Sequence, residues 1–81
     1  MYNYFMNEKE FKKQVGLNIK SIRAKRSYNQ KELADFSMLS RDSISKIERG
    51  EQNFTISSIF AIAKALNVDI LKLLDFKNFT D

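Results

Sequence analysis

Apolar side chains recur every three or four residues along most of the chain, and this spacing constrains the fold more than any other feature. Phe11, Val15, Ile19 and Ile22 follow one another at steps of four, four and three, which places them on one helix face. The alternating pattern of a half-buried strand does not occur. With no Pro and only two Gly among 81 residues, few positions interrupt helices. The sequence therefore predicts an all-α fold.

Polar residues that commonly cap helices divide this pattern into five predicted helices. These cover residues 7–26, 30–36, 41–49, the stretch between the cap Thr55 and the stop Asn67, and residues 69–76. On the second helix, Leu33, Ala34 and Phe36 are expected to face inward. Gly16 in the first helix is explained by close packing against a neighbour. The whole chain, residues 1–81, is expected to form one compact domain.

The stretch from Asn29 to Gly50 holds two short helical patterns, with a turn at residues 37–39 between them. Asn29 and Ser40 are suitable N-caps for the two helices, and Gly50 can adopt the left-handed conformation that ends the second. Ile44 and Ile47 mark the inner face of this second helix, whose outer face is polar and charged. This is the layout of a helix-turn-helix, in which the second helix lies in the major groove of DNA.

The composition excludes several classes of site. The chain has no Cys and no His, so it has no disulfide or thiolate metal site and lacks the commonest general base. Its Asp and Glu residues are scattered, and a chain of this size has little room for a pocket. We therefore expect no enzymatic activity, no metal and no cofactor. The apolar runs are too short to span a membrane and no signal segment precedes them, so a cytoplasmic protein is expected.

The net charge of +4 is unevenly distributed. Residues 1–26 carry seven basic and two acidic side chains, residues 27–50 four of each, and residues 51–81 three basic and four acidic ones. The positive field therefore comes from the first helix and its exit. Lys9, Lys12 and Lys13 fit either this field or an ordinary solvated helix face. The basic residues that lead directly into the helix-turn-helix are expected to contact phosphates. They are Lys20, Arg23, Lys25 and Arg26.

Two segments carry a family signature, VGLNIKSIRAKR and NQKELADFSMLSRDSISKIERGEQNFTISSIFAIAKALNV. Over roughly residues 11 to 75 the chain resembles the Cro and phage-repressor type of helix-turn-helix, also called the xenobiotic-response-element family. Met38 stands where the turn of this family commonly has Gly, and Met tolerates a positive φ poorly. Phe54 replaces a common Pro. With a residue other than Pro at this position, the chain is similar to the controller proteins of restriction-modification systems, where an aliphatic residue often precedes the Thr that opens helix four.

The resemblance implies that the third helix reads bases in the major groove. Arg41 would donate to O6 and N7 of guanine, Asp42 would accept from N4 of cytosine, and Lys46 would reach a base or a phosphate. Gln30, at the start of the second helix, would clamp a phosphate. Contacts with the DNA backbone are also expected from Ser40, Ser43, Arg49, Gln52 and Asn53, together with Arg23, Lys25 and Arg26.

The resemblance gives Glu48 a structural role, because a carboxylate near the phosphates would repel them. Glu48 would form an ion pair with Arg23 and so tie the first helix to the third. The guanidinium of Arg23 has five N–H groups, which leaves it a donor for a phosphate.

One such domain reads only a few base pairs, so a homodimer on a palindromic operator is expected. Residues 56–79 are the expected dimerisation region, because they offer more apolar surface than one side of a small core can use. The candidate interface residues are Ile59, Phe60, Ile70, Leu71, Leu74 and Phe76. Leu71 and Leu74 are equally well explained as core residues. Tyr2, Tyr4 and Phe5 either pack onto the body or onto a partner, or they belong to a frayed terminus.

These features predict a transcriptional regulator that binds double-stranded DNA and acts by occlusion or by contact with RNA polymerase. Its layout is most similar to that of the restriction-modification controllers. The alternative is a protein-interaction module of the same fold, such as an antitoxin or a bridging factor. DNA affinity that falls steeply with added salt would distinguish the first function from the second.

Overall fold

The computed structural model describes residues 6–76, which fold into five α-helices with no strand among them. The helices are α1 (Glu8–Lys25), α2 (Gln30–Ser37), α3 (Arg41–Glu48), α4 (Ile56–Leu66) and α5 (Ile70–Leu73). The predicted all-α, five-helix class is confirmed. Tyr2, Tyr4, Phe5 and the last residues of the expected dimerisation region, 77–79, lie outside the described residues. None of the helices described is both long and apolar enough to cross a membrane.

Side-chain caps fix where the longer helices begin. The side chains of Asn7, Asn29 and Thr55 each accept a hydrogen bond from the backbone N–H three residues on, and the side chain of that residue accepts one from the backbone N–H of the cap. Ser40 caps α3 by accepting from the N–H of Ser43 at 3.0 Å. The predicted starts of these helices are therefore correct to within one residue.

One apolar core lies between the helices. Its buried side chains come from all five of them: Val15, Ile19, Leu33, Ala34, Ile44, Ile47, Ile59, Ile62, Ala63, Leu66 and Leu73. The face of α1 identified from the periodicity supplies the first two. Phe11 and Ile22 on the same face are half-buried against the core. On α3, Ile44 and Ile47 belong to this core and Glu48 is also buried, while the remaining side chains of the helix reach the surface.

The fifth helix is shorter than predicted. It ends at Leu73, because Leu74 leaves the helical region with φ −106° and ψ 19°. The side-chain amide of Asn18 on α1 donates to the carbonyl oxygens of Leu73 at 2.9 Å and of Asp75 at 3.0 Å. These bonds stabilise the exit of the chain from α5 in place of further helical turns.

Phe36 does not face inward as predicted, since 56% of its surface is exposed. Leu33, Ala34 and Ser37 occupy the inner face of the short helix α2. Phe36 lies about a quarter of a turn from the centre of that face, because successive residues are rotated by roughly 100°. Its ring instead packs edge-on against Tyr28, with ring centroids 5.0 Å apart.

Candidate nucleic-acid interface

The turn between α2 and α3 is formed by a left-handed residue. Met38 has φ 62° and ψ 32°, and its side chain is 91% exposed. Its backbone N–H donates to the carbonyl oxygens of Ala34 and Asp35, which ends α2. Met38 thus adopts the positive φ that Met tolerates poorly, and this turn directs the chain into α3.

Close packing against α1 holds the end of α3. A Cβ atom on Gly16 would lie 2.5 Å from the carbonyl oxygen of Glu48, and closer still to that of Ile47. Only a glycine therefore allows α1 to approach the end of α3 this closely. Gly50 follows α3 in a left-handed conformation with φ 72°, against the backbone of Lys13.

An ion pair reinforces this packing. Nε of Arg23 lies 2.6 Å from Oε2 of Glu48, and Nη2 lies 3.1 Å from Oε1. Nη1 of Arg23 donates to the carbonyl oxygen of Tyr28 at 2.8 Å. All three nitrogens of Arg23 therefore donate within the protein, and its side chain is only 14% exposed. This arrangement favours a structural role for Arg23 over the predicted contact with the DNA backbone.

Gln30 joins the same network at the start of α2. Its Nε2 donates to Oε1 of Glu48 at 3.1 Å. Gln30 also lines an open cleft of about 380 Å³ with Asn29, Lys31 and Arg41. The cleft lies between the beginnings of α2 and α3, where the first N–H groups of the two helices give a positive potential. An anionic group such as a phosphate would be favoured there.

The three predicted base readers lie on α3, and two of them are paired. Lys46 Nζ lies 3.1 Å from Asp42 Oδ2, one helical turn away; the Asp42 side chain is largely exposed and that of Lys46 is 45% exposed. Arg41 is exposed on the first turn and has no hydrogen-bond or ion-pair partner among residues 6–76. In the free protein Arg41 is therefore available, while Lys46 is held by its own helix.

Beyond α3, the chain carries a second charged pair. Arg49 Nε lies 3.0 Å from Glu51 Oε2, and Arg49 also donates to the hydroxyl of Ser45. The hydrogen bond from Arg49, followed by its charge and that of Lys46, lowers the pKa of the Glu51 carboxyl. The same hydrogen bond raises the pKa of the Arg49 guanidinium. Both groups are exposed, so the pair is screened by solvent.

The other residues predicted to contact the DNA backbone differ in their surroundings. Ser40 caps α3, while Ser43 and Gln52 are half-buried. Asn53 accepts a hydrogen bond from Lys12 Nζ at 2.8 Å. Lys25 is exposed at the end of α1, and Arg26 donates to the carbonyl oxygen of Asn67 at 3.3 Å.

The sequence left open whether Lys12 belongs to the positive surface or to an ordinary solvated helix face. Its hydrogen bond to Asn53 draws the first helix to the loop after α3. The sequence spacing could have indicated this contact. Lys12 lies four residues before Gly16, and therefore on the helix face that packs against α3.

The predicted dimer residues divide between core and surface. Ile59 is 3% exposed, so its assignment to the interface was wrong: it lies on the inner face of α4 with Ile62 and Ala63. Ile70, Leu74 and Phe76 are half-buried against the core. Phe60 and Leu71, by contrast, are 55% and 69% exposed. Ile56 is 76% exposed on the same side of α4 as Phe60.

A short helix pair with a positive cleft at its start and charged side chains on an exposed second helix defines a helix-turn-helix DNA-binding domain. The comparison with known families agrees. The profile of the HTH_3 family, described as helix-turn-helix, matches residues 19–73, so the chain belongs to this family. It is a helix-turn-helix DNA-binding transcriptional regulator.

Its relatives include proteins of restriction-modification systems. The chain is 40% identical to the control protein C.SmaI of Serratia marcescens over 70 residues, which are 86% of this chain and 80% of that protein. Its structure is similar to the restriction-modification controller protein C.Esp1396I, with 38% identity, a TM-score of 0.73, and coverage of 78% of this chain and 82% of that one. The controller C.AhdI of Aeromonas hydrophila is 28% identical, with a TM-score of 0.74 and coverage of 75% and 92%.

Proposed function

We propose that this protein is the controller of a restriction-modification system and regulates transcription as a homodimer bound to a palindromic operator. The observation that carries this proposal is the 40% identity to C.SmaI over 86% of the chain. The similarity extends over most of both chains, so it includes the helices outside the helix-turn-helix. Regulation would follow from occlusion of a promoter or from contact with RNA polymerase, in the compartment that holds the DNA, the cytoplasm.

The described surface supports a dimer. Ile56, Phe60 and Leu71 are large apolar side chains that α4 and α5 leave exposed. Their removal from water would favour association by roughly 25 cal/mol for each Å² buried. A two-fold axis at this surface would repeat the same contacts in both directions and present two copies of α3.

The proposed contacts with DNA follow from the positions of the side chains. Arg41 is free to donate to a guanine, and Asp42 and Lys46 lie on the same exposed side of α3. Gln30, held by Glu48, would donate its second amide hydrogen to a phosphate in the cleft. The exposed side chain of Lys25 would add a further phosphate contact.

Selection of bound sequences from a random pool of duplex DNA would test this function. We expect a palindrome whose half-sites are about one helical turn, or 34 Å, apart. The Arg41→Ala variant should lose sequence preference but retain salt-dependent binding to mixed DNA. A single half-site would contradict the dimer. Absent or salt-insensitive binding would instead support the alternative of a protein-interaction module, such as an antitoxin or bridging factor.

A further inference from the structure

Two of the three basic side chains on the exposed side of residues 41–53 are neutralised by the protein itself. Lys46 pairs with Asp42 at 3.1 Å, and Arg49 pairs with Glu51 at 3.0 Å. Arg41 alone of the three has no partner among residues 6–76. A surface that contacts a polyanion would gain affinity from every free cation. The presence of two carboxylates that neutralise cations on this surface therefore requires an explanation.

We propose that Asp42 is a specificity-determining residue, because it holds Lys46 on the protein and so withholds a cation from the phosphates of non-operator DNA. This inference rests on the proposed placement of α3 in the major groove. Asp42 precedes Lys46 by four residues, an acidic residue N-terminal to a basic one, which is the favourable orientation for such a pair on a helix.

The chemistry of the base edges explains how the pair would discriminate. Lys46 can leave Asp42 without loss only where each finds a new partner. A cytosine offers the N4 amino group to the carboxylate, and a guanine offers O6 and N7 to the ammonium group. Phosphates offer acceptors alone. On DNA without suitable bases Asp42 gains no partner and keeps Lys46, so the complex neutralises one phosphate fewer.

The number of neutralised phosphates is measurable from the salt dependence of binding. The logarithm of the affinity falls against the logarithm of the salt concentration with a slope of about −0.9 per phosphate neutralised. We expect Asp42→Asn to free Lys46 and to steepen this slope by about 0.9 on a mixed-sequence duplex. Between 50 and 200 mM salt, the variant should lose about three- to fourfold more of its affinity than the wild type.

Three further variants separate this role from a general effect of charge. Asp69→Asn makes the same change in net charge at the N-cap of α5. The Asp69 side chain accepts from the N–H of Leu71 at 2.9 Å, and an Asn there can still cap the helix. Its slope should equal that of the wild type. Lys46→Ala, alone and combined with Asp42→Asn, removes the cation that Asp42 is proposed to hold. In that background Asp42→Asn should leave the slope unchanged. Melting temperatures confirm that each variant is folded.

The results distinguish this inference from the proposed function. A wild-type protein that does not bind the duplex would overturn the proposed DNA contacts and this inference with them. Binding by the wild type with an unchanged slope for folded Asp42→Asn would overturn only the role of Asp42. An equal steepening in Asp69→Asn, or in the Lys46→Ala background, would show that Asp42 acts by simple repulsion and not through Lys46.

Discussion

Arg23 and Glu48 form a two-point ion pair that fixes the end of α3 to α1. Nε of Arg23 lies 2.6 Å from Oε2 of Glu48, and the Glu48 side chain is only 2% exposed. Glu48 also accepts from Gln30, so one carboxylate joins three helices. Because the Arg23 side chain is only 14% exposed, the loss of this carboxylate would leave largely buried donors of its guanidinium unpaired.

The variant Glu48→Ala is expected to be strongly destabilised, by about 3–5 kcal/mol, because it leaves the buried guanidinium without its counter-charge. DNA binding should fall together with the melting temperature, since α3 loses its attachment. Glu51→Ala, which removes a carboxylate from an exposed pair, is the control and should melt like the wild type. A Glu48→Ala protein that keeps its melting temperature yet binds no DNA would show that Glu48 contributes to recognition directly.

Gly16→Ala tests the close approach of α1 to α3. Alanine favours a helix by about 1 kcal/mol over glycine, but here its Cβ would lie 2.5 Å from the carbonyl oxygen of Glu48. Separation of the helices should cost about 1–3 kcal/mol, as overpacking commonly does. Chemical denaturation would measure the difference. The exposed Ser21→Ala on the same helix should be neutral or slightly stabilising, and a gain in stability for Gly16→Ala would refute the packing argument.

Met38→Gly is expected to stabilise the fold. Met38 occupies the left-handed region at φ 62°, which costs a residue with a Cβ about 1–2 kcal/mol relative to its preferred conformations. Its side chain is 91% exposed, so little packing is lost. Met38→Ala is the matched control, since it removes the same side chain but keeps the Cβ and the strain. Equal melting temperatures for the two variants would mean that the backbone conformation carries no cost.

The helices could be predicted from the sequence because their caps and their periodicity are local. Asn29, Ser40 and Thr55 cap helices as predicted, and Asn7 caps the first helix one residue before it begins. The end of α5 could not be predicted in this way. The apolar pattern continues through Phe76, and the helix stops earlier where Asn18, 55 residues before Leu73, binds the carbonyl oxygens at its end.

The candidate site was predictable where one helix face determines it. Arg41, Asp42 and Lys46 share the exposed side of α3 because Ile44 and Ile47 occupy the inner side. Which apolar residues of α4 are buried and which are exposed could not be predicted, since apolar residues lie all around that helix. Ile59 and Phe60 are adjacent in sequence, yet only the arrangement of α1, α2 and α5 decides that the first is buried and the second exposed.

The Arg49–Glu51 pair predicts a pH dependence that NMR can measure. The hydrogen bond from Arg49 lowers the pKa of Glu51 below its ordinary value of 4.5. A carboxyl with a lowered pKa in the folded state stabilises the fold above its unfolded pKa, and this contribution disappears as the pH falls through the lowered value. In Arg49→Gln the titration midpoint of Glu51 should therefore rise. Arg41→Gln removes one cation too, and an equal rise there would contradict the assignment to Arg49.

Leu71→Asp tests the proposed dimer without disturbing the core. Leu71 is 69% exposed, so the charge would meet solvent in a monomer but would be buried and unpaired in a dimer. We expect the wild type to change from monomer to dimer with concentration in sedimentation experiments, and the variant to remain a monomer with an unchanged circular dichroism spectrum. Met38→Asp, an equal change at the exposed α2–α3 turn, should still dimerise. A wild-type monomer at tens of micromolar would argue against the dimer, and a dimeric Leu71→Asp would place the interface elsewhere.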